Sequence, residues 1–309
     1  MRLGVTPWNF SDRSARGLTE QALHAERLGY DSFWLPENHF NPGAIPDPLM
    51  LLAAVAAGTR TIRLATTSYL LPLRNPLLAA EQVAVLDQLS GGRVVLGIGR
   101  GFAPAMLRAF DVRPSEKRML FERSLALMQQ AWSGEPVVLD DGETSVTLDP
   151  LPVQRPHPPL WVAAFGPKAL AQAGRLGLPY LASPVETLET LEANYRRHGE
   201  AAEDAGHGPR ETVPIMRTVF VSSSPSQTRE LLRRMTAEAE KSGRLAPGAD
   251  AHEWTIVGDD HFVRDRIVEY RERLGVNHLI VTRLRLGGVD ENAVQASIGR
   301  VADIVGGLP

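Results

Sequence analysis

Apolar positions along the 309-residue chain fall into two alternating rhythms. Short, nearly unbroken apolar runs read as buried strands: "RLGVT" (2–6), "DSFWLP" (31–36), "IRLATTSYLL" (62–71), "RVVLGIG" (93–99), "PPLWVAAF" (158–165), "PYLAS" (179–183), "VPIMRTVFVS" (213–222) and "NHLIVTRL" (277–284). Between them, apolar residues recur at helical spacing. In "TEQALHAERLG" (19–29), Ala22, Leu23, Ala25 and Leu28 share a face and Gly29 is a stop. Further helices are predicted over 47–58, 75–92, 115–132, 167–177, 186–206, 225–243, 260–275 and 291–306. Two carry clear punctuation. Asp47 and Asn75 are capping residues, Pro48 and Pro76 take the first helical position, and glycine ends each helix.

Short apolar strands alternating with amphipathic helices, with few hairpin signals, imply parallel pairing. Eight strand–helix units predict an α/β fold, a (β/α)8 TIM-type barrel, as one domain over 1–309. Two stretches interrupt the rhythm, around 136–150 and 224–258, and are expected as insertions. The first holds a hairpin pattern at 137–148 around Asp141-Gly142. The second ends in an irregular segment, 244–258, a candidate lid. A doubly wound open sheet would carry a glycine-rich fingerprint after the first strand, and "GVTPWNF" is not one.

Composition narrows the function classes. Net charge is −3 and no long run of one sign occurs, so neither nucleic acid nor a membrane surface is an expected partner. The absence of cysteine removes disulfides, thiolate nucleophiles and cysteine metal sites. With no leader pattern before the first strand and no apolar run of membrane length, a cytoplasmic location is expected.

In a barrel, chemistry gathers on the loops after strand carboxyl ends. The second strand ends in Glu37-Asn38-His39-Phe40. The fourth runs into "GIGRGF" (97–102), which is similar to a glycine-rich phosphate loop. Arg100 there is either an anion clamp or half of a structural ion pair. The fifth is followed by "FGPKAL", where Gly166 and Pro167 open a helix whose amino terminus favours an anion. One phosphate between Arg100 and that terminus is the reading that joins the two features. His39 is either structural or functional. His39, Glu37, His157 and His278 lack metal-ligand spacing, so no metal is expected. Trp8, Trp34 and Trp161 fill core or line the mouth.

The stretches "GYDSFWLPENHF", "IRLATTSYLLPLRNPLLAAEQVAVLDQLSGGRVVLGIGRGF" and "PPLWVAAFGPKAL" resemble the bacterial luciferase-like monooxygenase family. The resemblance covers nearly the whole chain and is strongest over 29–132. It implies a (β/α)8 barrel with a flavin or deazaflavin cofactor, dimeric through the helices after the second and third strands. Helices 47–58 and 76–90, apolar on more than one face, suit that homodimer. Arg100 matches the family's phosphate-binding arginine, Phe102 the residue whose backbone meets the cofactor, and Arg118 a second phosphate contact. Ala163, Phe165 and Gly166 match the segment wrapping the flavin. A family serine is replaced by Gly166, leaving only the backbone donor. Thr67-Ser68 matches a dipeptide lying against the flavin ring, often joined by a cis bond. Glu37 and His39 match a Glu–His–His–Phe signature whose middle histidine, the base of true luciferases, is Asn38 here.

The resemblance implies a two-component FMN-dependent monooxygenase. Reduced FMN would come from a separate flavin reductase, oxygen would be consumed, and the substrate would be a small organic molecule. His39, with Glu37 and Asn38 beside it, would form the catalytic strand end. The alternatives are an F420-dependent hydride-transfer enzyme and a non-catalytic flavin-binding subunit. Asn38 argues against efficient light emission.

Overall fold

The computed structural model describes residues 1–9, 12–139, 141–242, 249–282 and 288–308. In chain order the strands and helices are β1 (Arg2–Val5), α1 (Ala15–Arg27), β2 (Ser32–Leu35), α2 (Pro48–Gly58), β3 (Arg63–Thr66), β4 (Tyr69–Leu70), α3 (Pro76–Ser90), β5 (Val94–Gly99), α4 (Pro104–Ala109) and α5 (Lys117–Ser133). They continue with β6 (Val137–Val138), β7 (Ser145–Val146), β8 (Leu160–Ala163), α6 (Pro167–Arg175), β9 (Tyr180–Leu181), α7 (Leu188–Asp204), β10 (Pro214–Val221) and α8 (Pro225–Ser242). The last are α9 (Ala251–Trp254), β11 (Ile256–Gly258), α10 (Asp260–Leu274), β12 (His278–Thr282) and α11 (Glu291–Gly306).

Local chemistry sets the helix ends. The Asp47 carboxylate accepts the Met50 N–H at 3.1 Å and Pro48 leads α2. Asn75 Oδ1 accepts the Leu77 and Leu78 N–H groups, Pro76 leads α3, and Gly91 closes it with φ 66°. Replacing such a cap by alanine costs about 1 kcal/mol.

The chain divides into two compact units. The first comprises Met1–Asp12, His24–Phe33 and Ala164–Pro309. Its strands are parallel. β1 pairs with β2 and β12, β12 with β10, and β10 with β11, while Ala182, just after β9, bridges to Ile215. Val221 donates its N–H to Ser297 Oγ on α11, and the Tyr30 hydroxyl donates to the Ile298 carbonyl, fastening that helix.

The second unit comprises Arg13–Leu23 and Trp34–Ala163. β5 lies parallel between β3 and β8, with β4 also pairing to it. Trp34 and Trp161 are buried with ring centroids 5.0 Å apart. Two polar staples explain the "LDQLSGGR" stretch. Asp87 accepts the Gln154 backbone N–H and side-chain amide at 2.9 and 2.8 Å. The Arg93 guanidinium donates to carbonyls of Ser90, Ile62, Ala56 and Thr59 and to the Thr59 hydroxyl.

Each of the eight expected strands is present. The third is interrupted at Thr67-Ser68, where β3 ends and β4 begins, and the peptide bond between those residues is cis, as expected. The 137–148 hairpin forms as the antiparallel pair β6–β7. The segment 244–258 differs from expectation: residues 243–248 lie outside the described residues, but the remainder folds into α9 and β11. Ile256, Val257 and Gly258 pair with Val219, Phe220 and Val221 and are buried. The lid reading therefore loses this part of its segment. No helix among the described residues is long and apolar enough to cross a membrane.

Candidate active site at the strand ends of the second unit

The "GIGRG" stretch is built differently from a phosphate loop. Gly97 and Gly99 lie inside β5, and their role is packing. A Cβ on Gly97 would stand 2.0 Å from the Thr66 carbonyl oxygen, and one on Gly99 would stand 2.2 Å from Ser68 Oγ. Glycine lets the β3–β4 segment cross close to β5, and Thr66 Oγ1 seals the approach by donating to the Gly97 carbonyl at 2.8 Å. Gly101, with φ 69°, turns the chain out of the strand. This arrangement puts the cis Thr67–Ser68 peptide beside the end of β5 that bears Arg100.

Arg100 is buried. Its Nη2 donates to the Ala163 carbonyl at 2.9 Å, and its guanidinium carbon lies 5.2 Å from the Phe121 ring centroid. Burial, then the Arg118 charge, push its pKa down to about 10, with Glu122 opposing. Lys117 opens α5 and donates from Nζ to the Gly101 carbonyl at 3.1 Å. Its pKa is also lowered, by burial first and then by Arg100 and Arg118. Three cations thus act on one another electrostatically near the end of β5, with Glu122 offsetting part of their charge at Arg100. Like charges this close raise one another's free energy, and an anion between them relieves that cost. Sequence reasoning named Arg100 and Arg118 but not Lys117; its position next to Arg118 at the start of a predicted helix was the available signal.

Glu37 is the hub of a second cluster. Its side chain is 0% exposed. Oε1 accepts from Arg74 Nη2 at 3.0 Å and meets His39 Nε2 at 2.8 Å. Oε2 accepts from Arg74 Nη1 at 3.0 Å and the Leu70 N–H at 2.9 Å. Two carboxylate oxygens offer about four acceptor sites, and all four are used. Arg74 also donates to the Leu70 carbonyl and sits 3.9 Å above the Tyr69 ring. Because the carboxylate can only accept, His39 Nε2 carries a proton, and in the neutral ring Nδ1 keeps its lone pair.

The rest of the strand end is a fastened loop. Asn38 Oδ1 accepts the Ile45 N–H at 2.7 Å, and the Asn38 N–H donates to the Ile45 carbonyl at 3.0 Å. The Asn38 carboxamide therefore helps close this loop. Phe40 has φ 61° and is exposed, and Phe102 is exposed as well.

Glu37, Asn38, His39, Thr67, Ser68, Arg100, Phe102, Arg118 and Ala163 all fall in the second unit. Phe165 and Gly166 fall in the first. There Phe165 is exposed, and Gly166, φ 80°, precedes α6 without a side-chain cap.

The family model for luciferase-like monooxygenases matches residues 3–278. The chain belongs to the luciferase-like monooxygenase family. It is 36% identical over 206 residues to an F420-dependent glucose-6-phosphate dehydrogenase of Kineococcus radiotolerans, covering 59% of this chain and 60% of that one. It is 27% identical over 187 residues to an alkanal monooxygenase alpha chain of Photorhabdus luminescens, covering 59% and 52%. In both cases it spans less than two thirds of the relative's length. Among solved structures, the oxygenating constituent of 3,6-diketocamphane monooxygenase from Pseudomonas putida, in complex with FMN, shares the fold. The TM-score is 0.80 at 23% identity, over 99% of this chain and 97% of that one. Flavin monooxygenases and F420-dependent oxidoreductases thus both stand among the chain's relatives.

Proposed function

We propose that this member of the family is a two-component, FMN-dependent monooxygenase, taking reduced FMN from a separate reductase and using oxygen on a small organic substrate. The observation that carries the reading is the group of three cations at the end of β5. Burial first lowers the pKa of both Arg100 and Lys117; the Arg118 charge adds to it at both, Arg100 adds to it at Lys117, and Glu122 opposes it at Arg100. A terminal phosphomonoester carries close to two negative charges near neutral pH, enough to offset most of the cluster. The phosphodiester of F420 carries one. The residues present fit a flavin phosphate: Arg100 and Arg118 supply planar donors and Lys117 a point charge.

Bound reduced flavin would supply the electrons for oxygen chemistry. The chain's own residues do the remaining work. The Thr67–Ser68 segment would lie against the ring. Glu37 is a positioning residue, because its acceptor sites are filled and it cannot take a further proton without losing a partner. It presents His39 with Nδ1 free to hold or return a proton at the substrate. Asn38 keeps the loop closed and transfers no proton. A closed (β/α)8 barrel in one domain over 1–309 belongs to the same reading. So does a homodimer through α2 and α3, which expose Met50, Leu78, Val85 and Leu89.

Equilibrium titration with FMN, reduced FMN and F420, followed by oxygen uptake over a substrate panel, tests the proposal. Tight binding of reduced FMN with substrate-dependent oxygen uptake supports it. Binding of F420 alone, with hydride transfer and no oxygen uptake, refutes it. Sedimentation showing a monomer at micromolar concentration would remove the dimer.

A further inference from the structure

Beside His39 stands a group of aromatic rings that the roles above leave unused. Phe110, at the end of α4, meets the His39 ring edge-on at 4.8 Å between centroids, and the Phe40 ring at 5.7 Å. His39 and Phe40 are 5.8 Å apart. Phe40 is 71% exposed, although it is a large apolar side chain on a well-fastened loop. Its backbone adopts φ 61°, a left-handed conformation that bulky residues seldom take. Nothing in the loop is slack. Asn38 and Ile45 hydrogen-bond twice, Asn41 Nδ2 donates to the His39 carbonyl at 3.0 Å, and Ala44 donates to the Asn41 carbonyl at 3.0 Å. The loop therefore holds an exposed phenyl ring in a costly conformation beside the one imidazole that Glu37 orients.

We propose that Phe40, Phe110 and the His39 ring, each in contact with the other two, form the wall on which the substrate lies, and that the substrate is an uncharged, ring-bearing apolar compound. This rests on the monooxygenase reading for its chemistry and on the ring geometry for its class. Aromatic rings prefer other rings in offset or edge-on contact at the spacings seen here. Their faces carry negative potential and disfavour an anion, so a sugar phosphate suits this wall poorly. A ring packed on Phe40 and Phe110 would lie in contact with His39, whose Nδ1 is the available proton site.

The test uses the full-length protein and a neutral probe, N-phenyl-1-naphthylamine, whose emission rises in apolar surroundings. Phe40→Asn removes the ring and tolerates the left-handed backbone; Phe110→Leu keeps apolar volume while removing the aromatic face. Phe40→Asn should weaken probe binding at least about tenfold, the value of losing one apolar ring face, and Phe110→Leu roughly 2- to 12-fold, the value of aromatic pairing beyond area, with FMN affinity changed less than about twofold. Glucose 6-phosphate should not compete with the probe. If FMN fails to bind but the variants still lose the probe, the wall stands and the flavin reading falls. If FMN binds and the probe is held equally by wild type and both variants, or is not held at all, the wall is refuted. A shift from dimer to monomer in Phe40→Asn with unchanged probe binding would assign the ring to a contact between copies and also refute it.

Discussion

Removing Arg74 should destabilise the protein far more than removing an ordinary surface arginine. Its two Nη groups hold both oxygens of Glu37 at 3.0 Å. The Glu37 side chain is 0% exposed and that of Arg74 is 18% exposed. In Arg74→Met the buried carboxylate loses two of its four partners. Breaking a buried pair from one side costs about 3–5 kcal/mol. Glu37→Gln should cost less, because the stranded guanidinium can reach solvent. In Glu37→Gln/Arg74→Met both charges are gone, so the loss should fall short of the sum of the singles by about 1–3 kcal/mol. Equilibrium urea unfolding of the four proteins measures the cycle. A cost below about 1 kcal/mol for Arg74→Met, typical of exposed pairs, or strict additivity in the double variant, would refute the hub.

Three further outcomes follow from the same geometry. Arg93→Lys should cost about 2–4 kcal/mol by losing most of its donor fork, measured by urea unfolding, with FMN affinity unchanged. With reduced FMN, oxygen and a long-chain aldehyde, the wild type should emit no strong light, and Asn38→His should restore at most a little acid product; strong emission from the unmodified protein would overturn the reading of Asn38. Burial holds the Glu186 carboxyl above its ordinary pKa, against the donors Tyr180, Ser183 and Asn194 and the Arg217 charge. A raised folded pKa means a stability contribution present at acidic pH and lost as pH rises through that value. Glu186→Gln should therefore flatten the stability–pH curve above the usual carboxylate range.

The parts of this fold legible in the sequence are those specified by neighbours along the chain. Asp47-Pro48 and Asn75-Pro76 announce helix starts because the cap bonds only to groups two or three residues on. Strands set in apolar runs showed themselves, even the two-residue β9 in "PYLAS", whereas β11 lies in a mixed polar stretch after "DAHEWT" and was passed over. The site was legible where a charged residue follows a strand, as at Glu37 and Arg100. It was illegible where a partner arrives from a distance. Arg74 reaches Glu37 across 37 positions, and Phe110 meets Phe40 from another loop. The packing role of Gly97 and Gly99 was illegible for a related reason: what they avoid is a crossing strand that only the folded chain reveals.

The central claim is that Arg100, with Lys117 and Arg118, holds a cofactor phosphate. Comparing FMN with riboflavin, which lacks the phosphate, isolates that contact. Charge-assisted hydrogen bonds contribute about 1.5–3 kcal/mol net, so Arg100→Ala should weaken FMN binding by roughly 10- to 150-fold and riboflavin binding much less. Lys117→Ala should show the same selectivity. Equal losses for FMN and riboflavin, or none for either, would contradict the account.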